Sequence, residues 1–335
     1  MTENATDEAR KTVLVTGGRG FIGAHLVERL ASTRCSVVSL DTAPVNTADI
    51  DGVTQVVADV RELRTIDSIV RRHRIETIYD LASHTAVGLP ATAYERNVAA
   101  TRSMVDIVRV NNIRKYIFFS TQFVFRKPDQ MPASDEDYWP IENYGVSKVA
   151  SEEVIRASLP EARYLILRPT YIWGPGLNRF RDGLLYRLAK GQLLISSDPT
   201  RVRFYGYVRT VVDQARAFAD LEFGDLQHRV YYISDSAISL GTFCDVLVDA
   251  LGQGRAMRVP SAVIRMLGAI GGGLSRAGLP APINPMQARE LTTNFPVPIE
   301  RTLELTKCQT NLLTAAEETV AWARLDPDWC SRTRN

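Results

Sequence analysis

Cysteine is scarce and scattered: the 335 residues hold four, Cys35, Cys244, Cys308 and Cys330, far apart and without metal-ligand spacing. They are expected to be free thiols of a reducing, cytoplasmic protein, and no metal site is expected. Charge of one sign is not concentrated anywhere. Forty basic and 38 acidic residues leave a net charge of +2 with no polybasic tail, so nothing implies nucleic acid. No apolar stretch reaches the length of a membrane span. The nearest approach, residues 263–274, carries Arg265 and Arg276 at its ends and is expected to be a buried or interfacial helix rather than a membrane contact. The segment Met1–Arg10 is polar, lacks the apolar core of a leader and is expected to be a flexible tail. Internal repeats and low-complexity tracts are missing too. With 45% hydrophobic and 23% charged residues, the composition is that of an ordinary soluble globular chain.

What is present begins at Thr16-Gly17-Gly18-Arg19-Gly20-Phe21-Ile22-Gly23, directly after the apolar run Thr12–Val15. A strand that breaks into glycines and re-enters a helix builds a pocket for a pyrophosphate. Gly17 suits the tight turn, Gly20 lets the backbone approach phosphates, and Gly23 lets the helix pack closely on the sheet. The following positions (Phe21, Ile22, Leu26, Val27, Leu30) have helical amphipathic spacing, and Asp41 ends the next apolar run, as a ribose-binding acid would.

Further along, strands at 12–16, 36–40, 54–58, 77–81, 116–120 and 164–167 alternate with helices at 21–32, 62–73, 91–111 and 144–159. This alternation predicts an α/β fold: a doubly wound parallel sheet with helices on both faces. After Arg168-Pro169 prolines, glycines and arginines become denser. The expected organisation is a dinucleotide-binding domain over 11–172, rejoined by a strand near 230–234, and a smaller, discontinuous substrate domain over 173–328. Residues 1–10 and 329–335 are read as flexible tails.

Asp41 can accept hydrogen bonds from both hydroxyls of an adenosine ribose and would repel a 2′-phosphate, which favours NAD. Arg19 is the opposing signal, because its guanidinium could pair with such a phosphate. Asp59-Val60, after the third strand, is placed to flank an adenine; Asp59 could equally cap the helix that follows. The sharpest constellation is Tyr144-Gly145-Val146-Ser147-Lys148. Tyr and Lys four apart on a helix project from one face. An ammonium one turn away stabilises a phenolate whose free pKa is about 10, making Tyr144 a usable proton acceptor. Thr121, at the end of the fifth strand, could orient the substrate oxygen and share its proton.

Together these motifs resemble the extended short-chain dehydrogenase/reductases of the nucleotide-sugar epimerase/dehydratase family. The likeness rests on residues 16–23, Asp41, Asp59-Val60, Asp80-Leu81-Ala82, Asn97, Phe119-Ser120-Thr121, Tyr144 to Lys148, and Leu167-Arg168-Pro169 with Gly174-Pro175-Gly176. It thins beyond 176 to Arg203-Phe204 and Tyr231 to Ser234. It implies a Rossmann fold, bound NAD and a nucleotide-sugar substrate. Tyr144, Lys148 and Thr121 would be catalytic. Gly17, Gly20, Phe21, Ile22, Gly23, Asp41, Asp59, Val60, Leu81, Ala82 and Ser83 would line the cofactor together with Tyr144 and Lys148, the latter bonding the nicotinamide ribose, with Asn97 supporting the central helix. The family's usual homodimer pairs its two long helices, here 91–111 and 144–159.

Departures from the pattern narrow the chemistry. Where 4,6-dehydratases carry Asp-Glu after the catalytic Thr, this chain has Gln122 and Phe123, so elimination by that route is not expected. Tyr171 replaces an Asn that contacts substrate phosphates in many members, and Val124-Phe125-Arg126 replaces Val-Tyr-Gly. Diphosphate binding would then rest on Arg203 and Arg179, with His84 and Gln122 as further substrate contacts. The leading expectation is an NAD-dependent nucleotide-sugar epimerase, C4 being the carbon inverted, acting through a transient ketone. A 4-keto-sugar reductase or another alcohol dehydrogenase with the same triad remains open, as does a catalytically idle dinucleotide-binding protein.

Overall fold

The computed structural model describes residues 11–333 except 34, 46–48, 87 and 281–282. The expected N-terminal tail therefore lies outside the described residues. The chain falls into two compact units, one of residues 1–125, 134–169 and 212–231, the other of 126–133, 170–211 and 232–335.

The first unit is built on β1 (Thr12–Thr16), α1 (Phe21–Ala31), β2 (Ser36–Asp41), β3 (Val53–Val57), α2 (Leu63–His73), β4 (Thr77–Asp80), α3 (Glu95–Val110), β5 (Lys115–Phe119), α4 (Asn143–Ser158) and β6 (Tyr164–Pro169). Its seven-stranded sheet runs Val230–Ile233, β6, β5, β4, β1, β2, β3, and β1 to β6 pair in parallel. Inner strands of such a sheet are covered on both faces and read as unbroken apolar runs. Leu14, Val38, Ile78, Phe118 and Ile166 accordingly sit in one core with Ile66 and Val70 of α2 and Met104 and Val108 of α3. The strand order reverses between β1 and β4, with Thr16 opposite both Leu40 and Asp80. Ligands of open α/β sheets bind beyond the strand ends at such a switch point.

The second unit carries a three-stranded sheet of Ala237–Ser239, Val202–Tyr207 and Tyr171–Trp173, a parallel pair of Leu193–Ser196 with Ala256–Val259, and helices between them. Its core is aromatic: Tyr205 stacks on Phe243 at 3.8 Å, and Trp173 meets Phe243 edge-on at 5.0 Å. One expectation is corrected here. Instead of a flexible tail from 329, residues Pro327–Thr333 are helical. Trp329 anchors them, buried, with its Nε1 donating to the Arg181 carbonyl at 3.2 Å. One large apolar side chain outweighs the polarity around it.

Candidate active site

The glycine loop closes on itself and on the next strands. Gly17 has φ +65°, and a Cβ there would meet the Leu81 backbone at 2.9 Å. At Gly23 a Cβ would lie 2.1 Å from the Gly17 carbonyl oxygen, so the helix can approach the loop only without a side chain. The Thr16 hydroxyl gathers the opposite wall: it donates to Asp80 Oδ1 at 2.6 Å and accepts from the backbone N–H groups of Leu81 and Ala82 at 3.2 and 3.1 Å. Gly20 caps α1, so the N–H groups of its first turn, from Phe21, Ile22 and Gly23, face the loop mouth. At the end of β2, Asp41 accepts from the N–H groups of Arg19 and Ala43, each at 3.0 Å. The Arg19 guanidinium turns away from that carboxylate onto the carbonyls of Asp41, Ala43 and Val56 and the Gln55 side chain. Ser83 Oγ is buried and has no hydrogen-bond partner among the described residues. A cradle free of Cβ atoms, a helix start, a ribose-type acid and an orphaned hydroxyl together fit a dinucleotide.

Asp59 and Val60 lie just past β3. Val60 is part of the core, and the Asp59 carboxylate is gripped by Arg61 Nε and Nη2 at 3.0 and 2.6 Å. The helix cap is Glu62, without a side-chain cap bond, so Asp59 does not cap α2.

Beyond β5 the remaining groups converge. Lys148 is 2% exposed, and its Nζ donates to the Phe119 carbonyl at 2.8 Å above the Phe118 ring. Burial pushes its pKa down to about 8 against the pull of Asp80 and Glu152. Tyr144, one turn earlier on α4, is buried, with its ring 6.1 Å from Phe123 and 6.0 Å from Tyr94. Gly145 makes this approach possible, since a Cβ there would fall 2.4 Å from the Phe123 carbonyl. Thr121 caps the short turn Gln122–Val124, accepting from Phe123 N at 3.3 Å; among the described residues no acceptor takes its own proton. Gln122 is buried, with no partner for Nε2 among the described residues, so positions 122 and 123 present an amide and a phenyl ring and no acid or base. The His84 backbone is clamped at both ends by Asn97, whose Oδ1 accepts from His84 N at 2.8 Å and whose Nδ2 donates to His84 O at 3.1 Å. The same Nδ2 reaches Ser147 Oγ at 3.2 Å, so one amide ties this loop to α4.

Sequence reasoning did not anticipate a buried network beneath these residues. Arg168 Nε and Nη2 grip Glu152 at 3.0 and 2.6 Å, both side chains fully buried, while Ser120 Oγ and Tyr138 Oη also donate to that carboxylate. Burial raises the Glu152 pKa, but Arg168 more than offsets it and holds the carboxyl below its ordinary value. On the other side of Lys148, burial pushes Asp80 up despite hydrogen bonds from Thr16 and from Tyr116 Oη at 2.5 Å. The signal was available: Glu152 lies one turn beyond Lys148 on the same face of α4, and Arg168 is the single charge in an apolar strand.

Of the two arginines expected to bind substrate, both belong to the second unit. Arg179 is exposed on a short turn. Arg203 is 5% exposed, with Nη1 on the Val202 carbonyl and its guanidinium against the rings of Phe295 and Tyr171 at 5.6 and 5.9 Å. The two sequence departures meet beside it: Arg126 Nη1 donates to Tyr171 Oη at 2.6 Å, Tyr171 donates to Glu290 at 2.6 Å, and Arg126 pairs with Glu290 directly. Burial pushes the Tyr171 phenol up to about 12. Glu290 was missed because it lies more than a hundred residues from both partners.

A family model described as the NAD dependent epimerase/dehydratase family matches residues 13–233. The chain belongs to this family. Among curated relatives, the UDP-glucose 4-epimerase of Halalkalibacterium halodurans is 32% identical over 148 residues, 42% of this chain and 44% of the relative. An N-acetyl-α-D-glucosaminyl-diphospho-ditrans,octacis-undecaprenol 4-epimerase of Escherichia coli O157:H7 is 28% identical over 207 residues, 60% of this chain and 61% of the relative. The chain spans about half the length of the curated relatives it matches. Among solved structures, the Thermus thermophilus UDP-glucose 4-epimerase complex with NAD superposes with a TM-score of 0.68 at 20% identity, over 93% of this chain and 99% of that one. It shares the fold. Membership brings the family's NAD dependence with it, in keeping with Asp41 at the end of β2. No helix among the described residues is long and apolar enough to cross a membrane.

Proposed function

We propose that this chain is an NAD-dependent 4-epimerase of a nucleotide sugar, with Tyr144, Lys148 and Thr121 as its catalytic set. The supporting observation is Lys148: a cation sealed from solvent on the Phe119 carbonyl, one turn from a buried phenol. An ammonium held in low dielectric stabilises a nearby phenolate far more than one in water. Tyr144 takes the proton of the C4 hydroxyl and returns it when the alcohol re-forms, while Thr121 holds the same oxygen. NAD, when bound along residues 17–23, Asp41 and 81–83, supplies reversible acceptance of the C4 hydrogen with its electron pair. No second acid or base is needed, in keeping with the inert side chains at 122 and 123. Arg203 would take the diphosphate, since its guanidinium keeps donors that no carboxylate among the described residues hydrogen-bonds.

The Escherichia coli relative, named for a polyprenol-linked sugar diphosphate, supports a second reading of the substrate. Proton abstraction at C4 is indifferent to what the diphosphate carries. The outward faces of α3 and α4, with Ala99 and Val146 exposed, are proposed as the homodimer contact, and the cytoplasm as the site of action. The test is to assay the protein as isolated, without added cofactor, for interconversion of C4-epimeric sugars on UDP and on a polyprenyl diphosphate. Turnover with no net change in NADH absorbance is expected. Stoichiometric consumption of NADH or NADPH would make it a reductase instead.

A further inference from the structure

The helix Ser261–Arg276 presents one side to its own unit and leaves the other uncovered. Its inner side packs tightly on Pro285–Thr292: a Cβ on Gly268 would meet Ala288 Cβ at 2.3 Å, and one on Gly272 would meet Pro285 Cγ at 2.9 Å. Ile264 is buried there with Ile283 and Ala288. On the outer side Ala262, Met266, Ala269, Ile270 and Gly273 recur at helical spacing and are exposed, Met266 by 55% and Ile270 by 53%. Leu279, just past the helix, and Met286 are about half exposed as well.

The charge along this stretch of chain has a single sign. Residues 250–289 contain five arginines (255, 258, 265, 276 and 289) and no Asp, Glu or Lys, in a chain that is otherwise nearly balanced. Arg258 is held by Asp245. Arg265, in the first turns of the exposed stripe, and Arg276, just past its end, have no ion-pair partner among the described residues.

Against the expectation from its sequence alone that this helix makes no membrane contact, we propose that this face docks on an anionic lipid surface, with the helix lying in the plane of the interface. An apolar stripe edged by unpaired arginines inserts side chains to the acyl boundary while its cations meet lipid phosphates. A second copy of the chain is a poor occupant, because a two-fold contact would set Arg265 and Arg276 against their own copies with no acid between residues 250 and 289 to pair them. The inference does not depend on the proposed activity, and lipid binding can be read without it.

The test is co-sedimentation of the NAD-loaded full chain with phosphatidylcholine vesicles, with and without phosphatidylglycerol. Binding is expected only with phosphatidylglycerol and should weaken with salt. Arg265→Gln with Arg276→Gln should weaken it about 25-fold, at about five-fold per arginine near an anionic surface. Met266→Asn with Ile270→Asn should abolish it. Both double variants should keep their bound NAD, which shows that the fold is intact. The proposal is overturned if the unaltered protein ignores phosphatidylglycerol vesicles, or if neither variant changes binding. A lipid-independent dimer dissolved by Ile270→Asn would also overturn it, by making the face a protein interface.

Discussion

Lys148 and Arg203 are both cations more than nine-tenths hidden from solvent, yet their surroundings differ. Around Lys148 the first unit buries Asp80, Glu152 and Arg168, two formal charges of each sign, cross-linked by Ser120, Tyr116 and Tyr138. Around Arg203 the second unit sets buried Arg126 against the part-exposed Glu290, a pair that cancels and leaves Arg203 in surplus. A neutral cluster can be closed to water and used to hold one reacting group in place. A cluster with one cation to spare attracts an anion. The first arrangement suits chemistry and the second suits holding a diphosphate.

That contrast can be broken most forcefully at Tyr144. Tyr144→Phe is expected to lower turnover by about a thousand-fold or more and to leave NAD retention intact; unchanged turnover would remove the phenol from the mechanism. Next comes the balance itself. Glu152→Ala strands Arg168 without a counter-charge, and urea unfolding should record a loss of about 3 kcal/mol. Lys148→Met should cost about a hundred-fold in turnover while raising stability, since it removes a buried cation.

The pH profile sharpens the same point. Burial pushes Lys148 from 10.5 down to about 8, so kcat/KM is expected to fall as pH rises through about 8 and the ammonium is lost. Stability runs the other way. Between about 8 and 10.5 the unfolded chain still holds the proton that the folded one has released, so this group's contribution rises with pH there. Denaturation midpoints across that window should climb, and Lys148→Met should flatten the climb.

The smallest effects are expected in the second unit. Arg203→Met should weaken UDP binding about ten-fold, the value of one charge-assisted contact, with kcat nearly unchanged. Tyr171→Phe removes only the hydroxyl that joins Arg126 to Glu290, and about a three-fold loss is expected. Calorimetric titration with UDP distinguishes the two.

The two regions also differ in how far the sequence revealed them. In the first unit β1, β2, β4 and β5 fall within a residue of the expected bounds, because inner parallel strands must be continuously apolar and the glycine turn marks where the first one ends. The Tyr144–Lys148 pair was readable because both sit on one helical face. Its supports left a fainter trace, Glu152 one turn past Lys148 and Arg168 alone in an apolar strand, because their pairing is made only when that strand and helix are packed together. In the second unit nothing local announces that Arg126, Tyr171 and Glu290 meet, or that Trp329 turns a polar tail into a helix. Those contacts join segments far apart in the chain, where periodicity carries no information.

The resting place of Arg19 has a consequence for evolution of the cofactor preference. Its guanidinium is parked on three carbonyls just behind the acid that would turn away a phosphorylated ribose. None of those carbonyls belongs to the Asp41 side chain, so replacing Asp41 with a small neutral residue would remove the negative charge and leave the guanidinium where it rests. A lineage needing the other coenzyme would have to loosen both contacts, the carboxylate and the parked arginine.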